Sequence, residues 1–120
     1  MNRVHAIHLG NAWEVEPGDE ARPAAWIRRF GLPTGLAAGD AVWLVIDAPV
    51  ACGLALNGEP LPGSGPEADY RVEVTARLRG RNLLVVVPRD AAHAPRDPPP
   101  RGPLPATLGR VRLEIVPAGE

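Results

Sequence analysis

Along the chain, apolar residues recur at every second position in short runs separated by Gly, Pro, Asn and Asp, the period of a β-strand rather than of a helix. The clearest run is Val42 to Ile46, where Val42, Leu44 and Ile46 share one face while Trp43 and Val45 share the other. Both faces are apolar, so this strand is expected to be central and covered on both sides, with Asp40 and Asp47 as its polar ends. Leu54, Ala55 and Leu56 run into Asn57-Gly58, a dipeptide whose positive φ values suit a type I′ hairpin turn. Leu61 follows. Pro60 has no N–H to give to a ladder, so the returning arm must be short or lie at an edge. Tyr70, Val72 and Val74 alternate with Arg71, Glu73 and Thr75, which predicts a half-buried strand with a polar outer face. Leu83 to Val87 is apolar on both parities and is expected to be buried, entered from a turn at Arg79-Gly80-Arg81-Asn82. Near the end, Val111, Leu113 and Ile115 alternate with Arg110, Arg112 and Glu114, giving one dry face and one wet one.

Three segments are less regular. Pro23 could open a short helix through Ala24, Ala25, Trp26 and Ile27. Against that, Trp26, Arg28 and Phe30 alternate with Ile27 and Arg29 just before Gly31 and Pro33, and a strand ending at a turn is the reading adopted. Glu14, Glu16, Asp19 and Glu20 surround Pro17-Gly18 and are expected on a solvated loop. Between about residues 88 and 107, Pro95, Pro98, Pro99, Pro100, Pro103 and Pro105 exclude both helix and central strand, leaving a partly polyproline-like loop. Its ordinary role is a solvent-facing connection, and its sharper alternative is a docking segment for a proline-recognising partner.

A length of 120 residues fits a single domain, 1–120, with a modest core. The composition, 45% hydrophobic and 22% charged, is that of a folded globular chain. A formal charge of -1 supplies no long-range field for phosphate backbones or anionic lipids, so neither nucleic acid nor a membrane is an expected partner. Every basic residue is Arg, with no Lys. Codon bias in a GC-rich genome explains that, and recognition of phosphate or carboxylate is the sharper alternative. Cys52 is alone, so it is read as a buried, inert thiol and no disulfide frame is expected. The opening Met-Asn-Arg-Val-His has no apolar run behind it, and a cytoplasmic location is the expectation.

Taken in order, Gly10-Asn11-Ala12-Trp13-Glu14-Val15, then Trp26-Ile27-Arg28-Arg29-Phe30 with Pro33, then the strand from Asp40 to Asp47 form a recognisable series. It continues through Leu54-Ala55-Leu56-Asn57-Gly58, Val74-Thr75 with Leu78, Arg81-Asn82-Leu83 and the closing Leu108 to Ile115. This series resembles the sugar-binding N-terminal domain of family 2 glycoside hydrolases. The resemblance implies an all-β fold, an antiparallel β-sandwich of the galactose-binding-like jelly-roll type, with two facing sheets and the Pro-rich loop near one end. In that family the paired catalytic glutamates belong to a separate barrel domain, so what transfers is a fold and a non-catalytic accessory role.

The residues themselves offer no catalytic set. His5 and His8 would fall on opposite faces of a strand, which argues against a shared metal, and His93 has no ligand near it in sequence. Ser64, the sole serine, lies in Gly63-Ser64-Gly65 rather than in a nucleophile elbow. No Walker loop is possible without Lys, and no cofactor is implied. A single Arg79-Gly80-Arg81 is weak evidence for RNA. Sugar rings stack on exposed aromatics flanked by hydrogen-bonding side chains, which makes Trp13 and Trp43 the candidate platforms, with Arg28 and Asn82 as candidate polar contacts. The expected function is therefore a non-catalytic carbohydrate-binding-like module. The alternative is a structural or protein-interaction domain without a sugar ligand, so the partner is either a carbohydrate or a protein.

Overall fold

The structure, a computed structural model, describes residues 5–9, 13–16, 18, 24–33, 35–47, 52–64, 69–88 and 110–117. Among the described residues nine strands run in chain order: β1 (His5–His8), β2 (Trp13–Glu16), β3 (Ala25–Gly31), β4 (Ala41–Asp47), β5 (Cys52–Leu56), β6 (Glu59–Ser64), β7 (Tyr70–Glu73), β8 (Arg81–Pro88) and β9 (Arg110–Val116). They form a four-stranded sheet ordered β1-β9-β4-β7 and a five-stranded sheet ordered β2-β3-β8-β5-β6. Every pairing is antiparallel. These two sheets pack as the expected sandwich. The chain changes sheets repeatedly, and only β2–β3 and β5–β6 are neighbours both in sequence and in a ladder.

The period-two pattern becomes the core. Val42, Leu44 and Ile46 of β4 and Val111, Leu113 and Ile115 of β9 are buried against Leu54 and Leu56 of β5, Leu84 and Val86 of β8, and Trp13 and Trp26. In β9 the alternation puts the apolar set inward and Arg110, Arg112 and Glu114 outward, which fixes register, because a one-residue slip would expose the whole set. Burial of this apolar surface is the main favourable term in folding.

β4 is internal to its sheet, and even the outward Val45 is only 2% exposed, between Arg71 and Arg112 in the neighbouring strands. The Asn57-Gly58 turn is as read: φ is 54° at Asn57 and 83° at Gly58, the left-handed pair that a type I′ hairpin requires. β6 is an edge strand, where its prolines belong. The segment from Ala25 to Gly31 is a strand, β3, so tertiary pairing with β2 and β8 overrides the helical propensity of Ala24 and Ala25.

Three expectations are corrected. Glu14 and Glu16 are not loop residues, since they belong to β2, where hydrogen bonding to β3 orders them. Arg81 and Asn82 are the first residues of β8 rather than part of a turn, paired with Gly31 and Phe30. Leu83 to Val87 is buried on one face only. Leu84 and Val86 point inward, while Leu83, Val85 and Val87 are half-buried on the outer face. Among the described residues one short 3₁₀ turn, Thr75–Arg77, follows β7 and has no signal in the apolar pattern. Of the Pro-rich loop, only Pro88 falls among the described residues, at the end of β8. No helix among the described residues is long and apolar enough to cross a membrane.

Candidate functional site

Register decides which of the four candidate side chains meet. Trp13 pairs with Arg28, Arg28 with Leu84, and Phe30 with Asn82. Paired residues project to the same face, so Trp13, Arg28 and Asn82 all belong to the inner face of the five-stranded sheet. Trp43 lies on the outer face of the other sheet, paired with Glu73 and Glu114. The four therefore do not form one site.

Two of them are corrected as exposed ligand contacts. Trp13 is 0% exposed and its indole N–H donates to the Leu9 carbonyl within the core, so no ring face is open to a sugar. Asn82 is 3% exposed and its amide is fully committed. Its Oδ1 accepts from the Arg79 backbone N–H at 2.8 Å and from Asn57 Nδ2 at 2.9 Å. Its Nδ2 donates to the carbonyls of Arg79 at 2.9 Å and Phe30 at 3.4 Å. Arg28 sends Nη1 to the Arg29 carbonyl and buries Nε without a hydrogen-bond partner. Trp26, two residues earlier on the same face and 4% exposed, has an unpartnered indole N–H as well.

Trp43 is half-buried and sits in a charged lattice. The Arg71 guanidinium lies 4.9 Å from the ring centroid, a cation–π contact that covers one face of the indole. Arg71 also pairs with Glu114. Arg112 bridges Glu114, at 2.8 Å, and Asp47, at 2.5 Å, continuing the alternation of sign across β7, β9 and β4. The Arg112 hydrogen bond holds the Asp47 carboxyl below the ordinary carboxylate range. Arg71 first and Arg112 second do the same for Glu114, against an opposing effect of burial. These acids are held ionised by cations in the plane of the sheet. General-acid chemistry instead needs a raised carboxyl pKa. Tyr70, whose hydroxyl donates to the Pro62 carbonyl at 2.6 Å, is pushed up to about 12 by burial.

A second feature went unseen in the sequence. Across one end of the five-stranded sheet lies a cleft of about 610 Å³ lined by Arg29, Phe30, Gly31, Asn57, Gly80, Arg81, Asn82 and Leu83. Asn57 is its keystone. Besides bonding Asn82, its Nδ2 donates to the Arg77 carbonyl at 2.9 Å and its Oδ1 accepts from the Leu83 N–H at 2.8 Å. The β5–β6 turn, the 3₁₀ segment and the start of β8 are thereby joined in one frame. Pairing of β3 with β8 would have placed these residues together, but a single sequence does not state which strands pair. Among the described residues, no group of three or more His, Cys, Asp or Glu stands close enough to hold a metal ion.

No protein-family model and no curated protein matches the sequence. Solved structures do match the fold. A Bifidobacterium dentium β-glucuronidase, complexed with coumarin-3-O-glucuronide, superposes with a TM-score of 0.69 at 20% identity over 98% of this chain and 30% of its own. An uncultured Clostridium sp. β-glucuronidase gives a TM-score of 0.66 at 14% identity over 98% of this chain and 30% of its own. A Bacteroides uniformis β-glucuronidase gives 0.66 at 15% over 96% and 18%. Identities this low show a shared fold, and the chain spans less than a third of each of these proteins.

Proposed function

We propose that this chain is a non-catalytic, carbohydrate-binding accessory module of the kind carried by family 2 glycoside hydrolases. The observation that carries the proposal is the coverage of the structural match: nearly all of this chain, 98%, corresponds to 30% of a β-glucuronidase. The matched unit is thus one sandwich within a larger enzyme. The disposition of the acids supports the absence of catalysis. Glycoside hydrolysis needs two carboxyl groups facing each other across one bond, roughly 5 to 9.5 Å apart. Glu14, Asp47, Glu59 and Glu114 instead each pair with an arginine.

Glycan-array screening of the whole chain, followed by titration calorimetry of any hit, tests the binding. A shallow site that must offset the lost freedom of a sugar gives dissociation constants near the millimolar range, about 4 kcal/mol. An aryl-glycoside assay tests the chemistry. Turnover that survives repurification would refute the non-catalytic reading, and a silent array would refute the carbohydrate one.

One observation favours a second reading, a structural or protein-interaction domain. Among the described residues no large aromatic is fully exposed. The exposed large hydrophobic side chain is Leu32, at 44%, while Arg71 covers a face of Trp43. A silent array together with stable association with a second protein domain would select this reading.

A further inference from the structure

Asn57 and Gly58 form the one Asn-Gly step in the sequence. A side-chain amide followed by glycine is open to an internal attack that bulkier neighbours hinder, because no Cβ shields the backbone nitrogen of the second residue. The surroundings of Gly58 are open as well. The residue is exposed, and an added Cβ would meet nothing within 4 Å.

What stands against the attack is the set of hydrogen bonds on Asn57. Its Oδ1 accepts from the Leu83 N–H at 2.8 Å while its backbone N–H donates to the Leu83 carbonyl at 2.9 Å, so the side chain completes a rung that extends the β5–β8 ladder. Its Nδ2 donates to the Arg77 carbonyl and to Asn82 Oδ1, each at 2.9 Å. For the amide carbon to turn toward the Gly58 nitrogen, all three side-chain bonds must break.

We infer that Asn57 is a deamidation site whose reaction is gated by opening of this frame and whose product cannot rebuild it. In the open state the Gly58 nitrogen loses its proton to hydroxide and attacks Asn57 Cγ. The bond from Cγ to Nδ2 breaks, ammonia leaves, and a five-membered imide remains. Water then adds to either imide carbonyl and opens the ring. Position 57 is left as aspartate or, with the main chain routed through the side chain, as isoaspartate. No redox change occurs: an amide and a water become a carboxylate and ammonium.

The product sets an acceptor against two acceptors. A carboxylate has no N–H, so the Arg77 carbonyl and Asn82 Oδ1 lose their donor. Asn82 cannot turn its own amide to supply one, because the Arg79 N–H and the carbonyls of Arg79 and Phe30 already hold it in place. Isoaspartate also adds a backbone atom to a turn whose type demands the φ angles of 54° and 83° found here. The reaction therefore releases the β5–β6 turn, the 3₁₀ segment and the start of β8 from one another.

The test is incubation of the whole chain at mildly alkaline pH, with and without urea, followed by trypsin digestion and mass spectrometry. The chain has no Lys, and the tryptic fragment 30–71 contains Asn57 and no other Asn. Its conversion from amide to carboxylate is expected to run about tenfold or more slowly in the native chain than in urea, a comparison that needs no variant to fold. Asn82→Ala, which removes one of the two acceptors, should speed the native reaction about fivefold or more. Val111→Ala, in the core of the opposite sheet, should leave the rate unchanged although it lowers stability. Equal rates with and without urea would overturn the gating, and so would equal acceleration by the two variants, which would make global unfolding the gate. The deamidated chain, separated by its added negative charge, should unfold at a lower urea concentration than the unmodified chain. An unchanged midpoint would overturn the claim that the product cannot rebuild the frame.

Discussion

The side-chain amide of Asn57 donates to Asn82 Oδ1 at 2.9 Å, joining two residues 25 positions apart whose backbones belong to a hairpin turn and to the first turn of ladder in β8. The pair makes every one of its amide groups answer to another, and Asn82 does so while almost wholly buried. Asn82→Ala leaves the Arg79 N–H and the Phe30 and Arg79 carbonyls without their partner, which is expected to cost about 2 to 3 kcal/mol. Urea unfolding reads this as a lower midpoint at unchanged slope. An unchanged midpoint would show that the network carries no net stability.

Gly58→Val is expected to destabilise by about 1 kcal/mol or more, because a β-branched residue is strained at positive φ. The space around Gly58 is open, so the penalty is one of backbone conformation and not of collision. Gly58→Asn, which tolerates the left-handed region, should recover most of it in a thermal melt.

Acid should unfold the protein by way of the charged lattice on the outer face. The carboxyls of Asp47 and Glu114 are lowered in the folded state, so their contribution is complete above the unfolded pKa values, about 3.9 and 4.3. It is lost as pH falls through the lower folded values. Denaturation midpoints between pH 6 and pH 2 should therefore drop below about pH 4, and the slope should flatten in an Asp47→Asn, Glu114→Gln double variant. A slope unchanged in that variant would place the acid sensitivity elsewhere.

Tryptophan emission should separate the three indoles. Trp13 and Trp26 are buried and should emit at short wavelength with little quenching by acrylamide, whereas Trp43 is half-buried under Arg71. Arg71→Ala should increase quenching of the Trp43 component about twofold or more, because the cation shields the ring. Loss of that component in Trp43→Phe identifies it.

Much of the sandwich was legible because a strand with one dry face writes its alternation into the sequence. Val42-Leu44-Ile46 and Val111-Leu113-Ile115 needed nothing else, and the Asn57-Gly58 turn followed from the backbone angles that few residues accept. The candidate site was far less legible. Trp13 and Trp43 look equivalent as letters, yet one closes the core with its N–H on Leu9 and the other lies beneath an arginine, because exposure depends on which sheet face a strand turns outward. Asn82 reads as a turn residue by its neighbours Gly80 and Arg81, while its role comes from Asn57 and Phe30, brought close only by pairing. The same holds for Arg29 and Arg81, distant in the chain and diagonal across β3 and β8.

The edge strand β6 ends one side of the five-stranded sheet and carries Pro60 and Pro62. Leu56 and Glu59 close the two-residue turn, so the backbone groups of residue 60 point away from β5, while a register shift between the Cys52 and Leu54 pairs breaks the alternation at residue 62. Both positions lack an N–H. An incoming strand would find no donor at either position, and the carbonyls there already accept from Arg77 and Tyr70, so this edge is a poor template for a second copy of the chain. Fibril-like growth by sheet extension is disfavoured on this side at the level of the backbone, whatever side chains the approaching strand brings.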